Sequence, residues 1–143
     1  MKNKMSIKVL FGIIFGVAMV VLFQQYIIPD LFTPSIDTQL NHLASEMNKN
    51  CPMMVDSQTR MDNTMAGSDK SIIYNYTLIN YAKDQVDLKF FNNKLRPKIL
   101  NNIKTNPQMN YLKNRDVTFV YNYNDKNGIF IISLKITPKE YKN

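Results

Sequence analysis

The chain has 143 residues, 18 basic and 11 acidic, and a net charge of +7. This length accommodates one small domain, and a composition of 45% hydrophobic and 20% charged residues argues against intrinsic disorder. The single cysteine excludes an internal disulfide framework and every multi-cysteine metal site. The single histidine excludes His-rich metal sites, and no cofactor is predicted.

An apolar segment near the N-terminus predicts a transmembrane helix. Residues 9–28 are apolar apart from two glutamines, and twenty helical residues span about 30 Å, the thickness of the bilayer core. Lys2, Lys4 and Lys8 precede this segment, so the positive-inside rule places residues 1–8 in the cytoplasm. The sequence therefore predicts a single-pass protein of the bacterial inner membrane, with its C-terminal part in the periplasm.

A cleaved signal peptide is the alternative for this segment. The strictly apolar run from residue 9 to residue 23 lies at the upper length limit of a signal-peptide core. No small-x-small cleavage site follows it closely, because Thr33 and Ser35 lie too far downstream. These features favour an uncleaved anchor.

Two glycines within the same segment bear on self-association. Gly12 and Gly16 form a Gly-x-x-x-Gly pair, which lets two membrane helices approach closely and indicates a homodimer. The simpler alternative is a chance pair, because glycine is common in membrane helices.

Residues 36–143, which follow a connector at 29–35, are predicted to form an exported α+β domain. The apolar periodicity predicts the order helix, two strands, helix, two strands. The elements are a helix with Ile36, Leu40, Leu43 and Met47, strands at 53–65 and 71–81, a helix with Leu88, Phe91, Leu95, Ile99 and Ile103, and strands at 117–123 and 130–136. A four-stranded antiparallel sheet with the helices on one face is the expected arrangement.

The strand periodicity also predicts the core. The residues expected to share one buried sheet face are Tyr74, Tyr76, Phe119, Tyr121, Ile132 and Leu134, with Leu40, Leu95 and Ile99 packed above them. Tyr-Asn-Tyr occurs at 74–76 and at 121–123, and this match is compatible with a duplicated helix-plus-hairpin unit. Pro97 requires either a kink in the second helix or a helix that begins near Asn93.

Three polar residues in the first predicted strand are candidates for a binding site. Asp56, Arg60 and Asp62 share one parity, so their side chains are expected on one sheet face. A structural ion pair is the simpler interpretation of an arginine between two carboxylates.

The single thiol, Cys51, leaves three interpretations open. It is a buried small hydrophobic residue, a partner in an intermolecular disulfide bond, or a catalytic thiol. Nothing near it in the sequence resembles an activating base, which favours the first of these.

Basic residues concentrate on and after the second helix, where Lys94, Lys98, Lys104 and Lys113 lie. Basic residues with aromatic strands are also typical of single-stranded RNA binders, but export across a membrane makes nucleic acid an improbable ligand. Anionic lipid headgroups or an acidic protein surface fit better. A solvated helix face is the simplest alternative.

A pattern that runs from Pro52 to Pro138 resembles one found in small, uncharacterised bacterial envelope proteins. Its residues are Pro52-Met53-Met54-Val55-Asp56, Thr59-Arg60-Met61-Asp62, Ala66-Gly67, Tyr74-Asn75-Tyr76-Thr77-Leu78, Leu95-Arg96-Pro97, Asn106-Pro107, Tyr121-Asn122-Tyr123, Asp125, Gly128 and Ile136-Thr137-Pro138. The resemblance implies a shared fold and supplies no catalytic residues.

The sequence predicts a membrane-anchored envelope protein whose exported domain is a non-enzymatic binding or accessory module with an envelope protein partner. One histidine, one cysteine and two glutamates offer no convergent catalytic set, which favours this interpretation. An envelope exclusion or immunity factor is a second possibility. A small hydrolase or thiol enzyme that uses Cys51, or Asp56 with Asp62, is a third.

Overall fold

The computed structural model of the chain describes residues 34–143. The strands are β1 (Met53–Met54), β2 (Thr59–Gly67), β3 (Ser71–Leu78), β4 (Thr118–Asn124) and β5 (Phe130–Ile136). The helices are α1 (Ile36–Asn48), α2 (Leu88–Phe90), α3 (Arg96–Thr105), α4 (Asn110–Lys113) and α5 (Pro138–Tyr141), with a π turn at Phe91–Leu95 and 3₁₀ turns at Lys83–Gln85 and Pro107–Met109. Among residues 34–143, none of the helices has the length and hydrophobicity that a membrane span requires. The predicted span at 9–28, with Gly12 and Gly16, lies outside that range.

The sheet has five strands in the order β1-β2-β3-β4-β5, so the prediction of four strands is wrong. The single strand expected at 53–65 is in fact two short antiparallel strands, with Met53 paired to Met61. The chain reverses between them, where the backbone N–H of Val55 donates to the carbonyl oxygen of Thr59 at 3.0 Å. The sequence has no obvious turn signal at this reversal, and for that reason a single strand was predicted.

The sheet is mixed, so the prediction of an antiparallel sheet is also wrong. β3 and β4 pair in parallel, whereas the other three pairs are antiparallel. Parallel neighbours require a long crossover connection, and residues 79–117 supply it with α2, α3 and α4. The crossover brings the chain back to the end of the sheet where β3 begins, and β4 therefore runs in the same direction as β3.

The second helix begins at Leu88, and the carboxylate of Asp87 caps it by accepting a hydrogen bond from the backbone N–H of Lys89 at 2.9 Å. A π turn precedes Pro97, in which the N–H of Arg96 reaches the carbonyl oxygen of Phe91. Proline has no N–H, and its ring crowds the carbonyl group four residues earlier in a regular α-helix. The wider turn accommodates both constraints, so the helix starts ahead of the proline and continues past it.

The first helix carries the cap and stripe that its sequence predicts. The Ser35 hydroxyl accepts a hydrogen bond from the backbone N–H of Thr38 at 3.3 Å. The buried stripe comprises Leu40, Ala44 and Met47. At the end of α1, the Asn48 side chain accepts a hydrogen bond from the N–H of Thr64 at 2.7 Å and donates one to its carbonyl oxygen at 2.8 Å. The helix is thereby fixed to the edge of β2 beyond the short β1.

The core lies between the helices and one face of the sheet. The predicted core residues Leu40, Tyr74, Tyr76, Leu95, Ile99, Phe119, Tyr121 and Leu134 are all buried, which confirms the predicted strand parity, and Ile132 is partly buried. The two Tyr-Asn-Tyr segments lie side by side in the parallel pair. Tyr74 stacks on Tyr121 with ring centroids 5.2 Å apart, and Tyr76 stacks on Tyr123 at 5.3 Å.

Two buried tyrosines provide a matched test of this core. The Tyr141 hydroxyl donates to the carbonyl oxygen of Val117 at 2.9 Å, whereas the buried Tyr74 hydroxyl has no hydrogen-bond partner among the described residues. We expect Tyr141→Phe to lower the free energy of unfolding by about 1–2 kcal/mol, because it removes the donor from a buried carbonyl group. Tyr74→Phe should leave it unchanged or raise it, because no bond is lost and a buried hydroxyl is removed. Urea unfolding of the two variants measures the difference, and the reverse ranking would contradict the assigned hydrogen bonding.

Candidate interaction surface

One face of the sheet is left uncovered by the helices that the structure describes. Successive residues of a strand point to opposite faces, and the buried apolar and aromatic residues that alternate along β3 and β4 face the helices. We call the opposite surface the open sheet face. It is formed by Arg60, Asp62, Asn63, Met65, Ile73, Asn75, Thr77, Val120, Asn122, Ser133 and Lys135.

A short polar network lies on this face where β2 meets β3. The Arg60 Nε donates to Asp62 Oδ1 at 2.6 Å, and the Thr77 hydroxyl donates to Asp62 Oδ2 at 2.6 Å. The pairing register shifts between Met61 and Asn63, and this bulge allows Asp62 and Asn63 to face the same side. Both oxygens of the Asp62 carboxylate therefore have partners.

Three asparagines form a hydrogen-bonded row across β2, β3 and β4. The amide nitrogen of Asn75 donates to Asn63 Oδ1 at 2.7 Å, and the amide nitrogen of Asn122 donates to Asn75 Oδ1 at 3.0 Å. We call this row the amide ladder. Met65 lies beside it, with its sulfur 3.8 Å from the Asn75 amide nitrogen and 52% of its surface exposed. The ladder holds its amide groups in fixed positions on an accessible surface.

Only an indirect signal for the amide ladder is present in the amino-acid sequence. Asn75 and Asn122 are the middle residues of the two Tyr-Asn-Tyr segments, and their alternation with tyrosine places them opposite the core. Their contact depends on the parallel register, in which Asn75 lies directly beside Asn122. This register could not be predicted without knowing the path of the crossover between β3 and β4.

Asp56 does not lie with the other two candidate binding residues. It occupies the turn between β1 and β2, where its Oδ1 accepts hydrogen bonds from the backbone N–H groups of Gln58 at 2.7 Å and Thr59 at 2.9 Å. The structure thus brings Arg60 and Asp62 together on the open sheet face and assigns Asp56 to the turn. Asp56 acts there as a turn-forming residue.

Cys51 follows α1 and is half-buried. Its thiol lies 3.5 Å from the carbonyl oxygen of Met47 and donates to it. Burial raises the pKa of the thiol, and the nearby Asp62 carboxylate raises it further. A catalytic thiol requires the opposite shift, because the thiolate is the nucleophile.

Metal binding has no support among residues 34–143. That range contains no group of three or more His, Cys, Asp or Glu side chains placed to hold a metal ion. His42 is exposed on α1, and its Nε2 lies 4.0 Å from a carboxylate oxygen of Glu46. This geometry fits an ordinary surface histidine.

The sequence comparison assigns the chain to a family. The model of the domain of unknown function DUF8479 matches residues 35–130, which is more than half of the chain. The chain therefore belongs to the DUF8479 family. No curated protein matches it in sequence.

Solved structures with the same fold include a protein assigned as secreted and two pilotins of type II secretion systems. A Pseudomonas aeruginosa protein assigned as secreted is 10% identical, with a TM-score of 0.58 over 76% of this chain and 98% of that chain. The type II secretion system pilotin AspS from Vibrio cholerae is 8% identical, with a TM-score of 0.56 over 73% and 91%. The pilotin EpsS of the Vibrio vulnificus type 2 secretion system is 8% identical, with a TM-score of 0.53 over 76% and 93%. At these identities the likeness establishes a common fold.

The polar network at Asp62 yields a stability prediction with an internal control. Thr77 is 8% exposed, so Thr77→Val should lower the free energy of unfolding by about 1–2 kcal/mol by removing a donor from a half-buried carboxylate. The Arg60 side chain is 42% exposed, and Arg60→Ala should cost less than about 1 kcal/mol, because exposed ion pairs contribute little. Urea unfolding ranks the two variants. A larger loss for Arg60→Ala would show that the ion pair, and not the hydroxyl, holds Asp62.

The thiol gives a second prediction, which addresses the enzyme hypothesis. Maleimide should label Cys51 severalfold more slowly in the folded protein than in urea at the same pH, because the raised pKa reduces the thiolate fraction. Cys51→Ala should leave the abundance of the protein unchanged. Equal labelling rates in the two states, together with loss of function in Cys51→Ala, would support a catalytic thiol instead.

Proposed function

We propose that this protein is a non-enzymatic accessory component of a bacterial envelope assembly. The observation that carries the proposal is the fold, which is common to two type II secretion pilotins and a protein assigned as secreted. None of these three is named as an enzyme. In this proposal residues 9–28 anchor the chain in the inner membrane, and the domain faces the periplasm.

The open sheet face is the surface that binds the protein partner in this proposal. The amide ladder offers hydrogen-bonding groups that are already fixed, which reduces the entropy lost on binding. Met65 of this face and Met54 at its edge add apolar area, since they are 52% and 47% exposed. Arg60 lies at the same end as Met54, its pairing neighbour in β1. The complementary partner is a protein surface that presents backbone or side-chain amides around an apolar contact.

The contacts of the candidate catalytic residues favour binding over catalysis. The raised pKa of Cys51 opposes thiol chemistry. Asp56 Oδ1 is occupied by two backbone N–H groups, and both oxygens of Asp62 accept hydrogen bonds. A carboxylate that holds a turn and one that holds an ion pair are not free to act together as an acid and a base.

Site-specific crosslinking in cells tests the proposal. A photoreactive amino acid in place of Met65, on the open sheet face, should capture one envelope protein when the full chain is expressed at native level. The same group in place of Lys139, an exposed residue of α5, is the control and should not capture that protein. Asn122→Arg should abolish capture at Met65 without lowering abundance, because it places a large cation at the end of the amide ladder. Capture that is equal at both positions, or unaffected by Asn122→Arg, would contradict the assigned surface.

A further inference from the structure

The crossover between β3 and β4 carries a one-sided charge. From Leu88 to Lys113 the chain contains six basic residues and no acidic residue: Lys89, Lys94, Arg96, Lys98, Lys104 and Lys113. Lys89, Lys94, Lys98 and Lys104 are exposed. The charge thus lies where a ligand can reach it.

These lysines lie on the outward side of the crossover helices. Leu95, Ile99 and Ile103 are buried and follow one another at intervals of four residues, so they define the inner side. Lys94 and Lys98 are also four residues apart and lie on the solvent side with Asn101. We call the surface formed by Lys89, Lys94, Lys98, Asn101 and Lys104 the basic face.

Two acidic side chains of neighbouring elements form ion pairs with basic residues. Glu140 of α5 pairs with Arg96, and Asp116 pairs with Lys142. Asp87 caps α2 with its carboxylate, and Asp37 lies in the first turn of α1. Among residues 34–143, Lys89, Lys94 and Lys98 form no ion pair with a carboxylate side chain, whereas the Lys104 ammonium donates to the main-chain oxygen of Asn143 at 2.7 Å.

The chain enters the domain beside the end of this crossover. The side-chain amide of Gln39 donates to the carbonyl oxygen of Pro34 at 2.6 Å and accepts a hydrogen bond from the Tyr111 hydroxyl. The guanidinium of Arg115 lies over the Tyr111 ring, 3.7 Å from its centroid. The start of the described chain is therefore fixed next to α4 and a cation.

A second contact joins this entry point to the basic face. The Lys113 ammonium, at the end of α4, donates to the carbonyl oxygen of Lys104 at 2.8 Å. The end of α3 and the entry point at Pro34 are thus neighbours through α4. The entry point therefore lies at the Lys104 end of the basic face.

We propose that the basic face binds anionic phospholipid headgroups on the membrane to which the chain is tethered. The inference rests on the membrane anchorage in the proposed function. Five residues, 29–33, separate the predicted span from Pro34 and reach at most about 17 Å when fully extended. The lysines are thereby held near the bilayer, where each contributes to attraction by anionic lipid. This tether favours the bilayer over an acidic protein, because it supplies a high effective concentration of headgroups.

Fluorescence quenching on the full chain tests the inference. A Cys51→Ala background with Asn101→Cys carries a fluorophore on the basic face, and the same background with Ser133→Cys carries it on the open sheet face. Each protein is reconstituted into nanodiscs that contain a headgroup-linked quencher, either in phosphatidylcholine alone or with about one third phosphatidylglycerol. We expect strong quenching at position 101 only in the anionic discs and weak quenching at position 133 in both. High salt should abolish the difference, because it screens the charges.

A charge-matched pair of variants distinguishes lipid binding from net charge. Lys89→Gln, Lys94→Gln and Lys98→Gln together should reduce the ratio of membrane-bound to free orientations on the order of 100-fold, about fivefold for each lysine. The control removes the same charge elsewhere, with Lys126→Gln, Lys135→Gln and Lys139→Gln, and should retain the quenching. Thermal melts of both proteins verify that they are folded.

The outcomes separate this inference from the anchorage. Equal quenching at positions 101 and 133 in anionic discs would overturn it, as would equal loss in the two triple variants. Either result would favour an acidic protein surface as the ligand of the basic face. Carbonate extraction of native membranes tests only whether the chain is anchored in the membrane. Release of the full chain would overturn the anchorage and the tether with it, whereas retention without anionic quenching would overturn only the lipid contact.

Discussion

The in-register parallel pairing of β3 with β4 is the contact on which the rest of this fold depends. It places two pairs of tyrosine rings in stacked contact within the core, each worth about 0.5–1.5 kcal/mol beyond the area that it buries. The same register aligns Asn75 with Asn122 on the opposite face. A parallel neighbour also requires a long connection, and the helical crossover that carries the lysines supplies it.

The alternation of apolar and polar residues correctly predicted which side chains of each strand are buried, because this alternation depends on the strand alone. The buried tyrosines, Phe119 and Leu134 followed from it, as did the Ser35 cap on α1. The strand number and direction could not follow from it. The reversal at Val55 has no glycine or proline to mark it, and the direction of β4 is set by the path of the crossover.

The three candidate binding residues do not lie together in the structure, and the reason is again that sequence parity is a local property. Arg60 and Asp62 share a face because they are two residues apart on β2, and sequence parity captured this. Asp56 has the same parity, but parity has no meaning across a chain reversal, and its carboxylate is used by the turn. The amide ladder was missed because it joins three strands, and its geometry exists only once their order and register are known.

The contact between Asn48 and the backbone of Thr64 occupies part of an exposed edge of the sheet. β1 covers β2 at only two positions, so the remaining outer edge of β2 would otherwise offer its N–H and C=O groups to any passing strand. A single side-chain amide occupies both groups of Thr64 in the way that a neighbouring strand would. One residue at the end of a helix thus fills, at this position, the place that the backbone of an added strand would take.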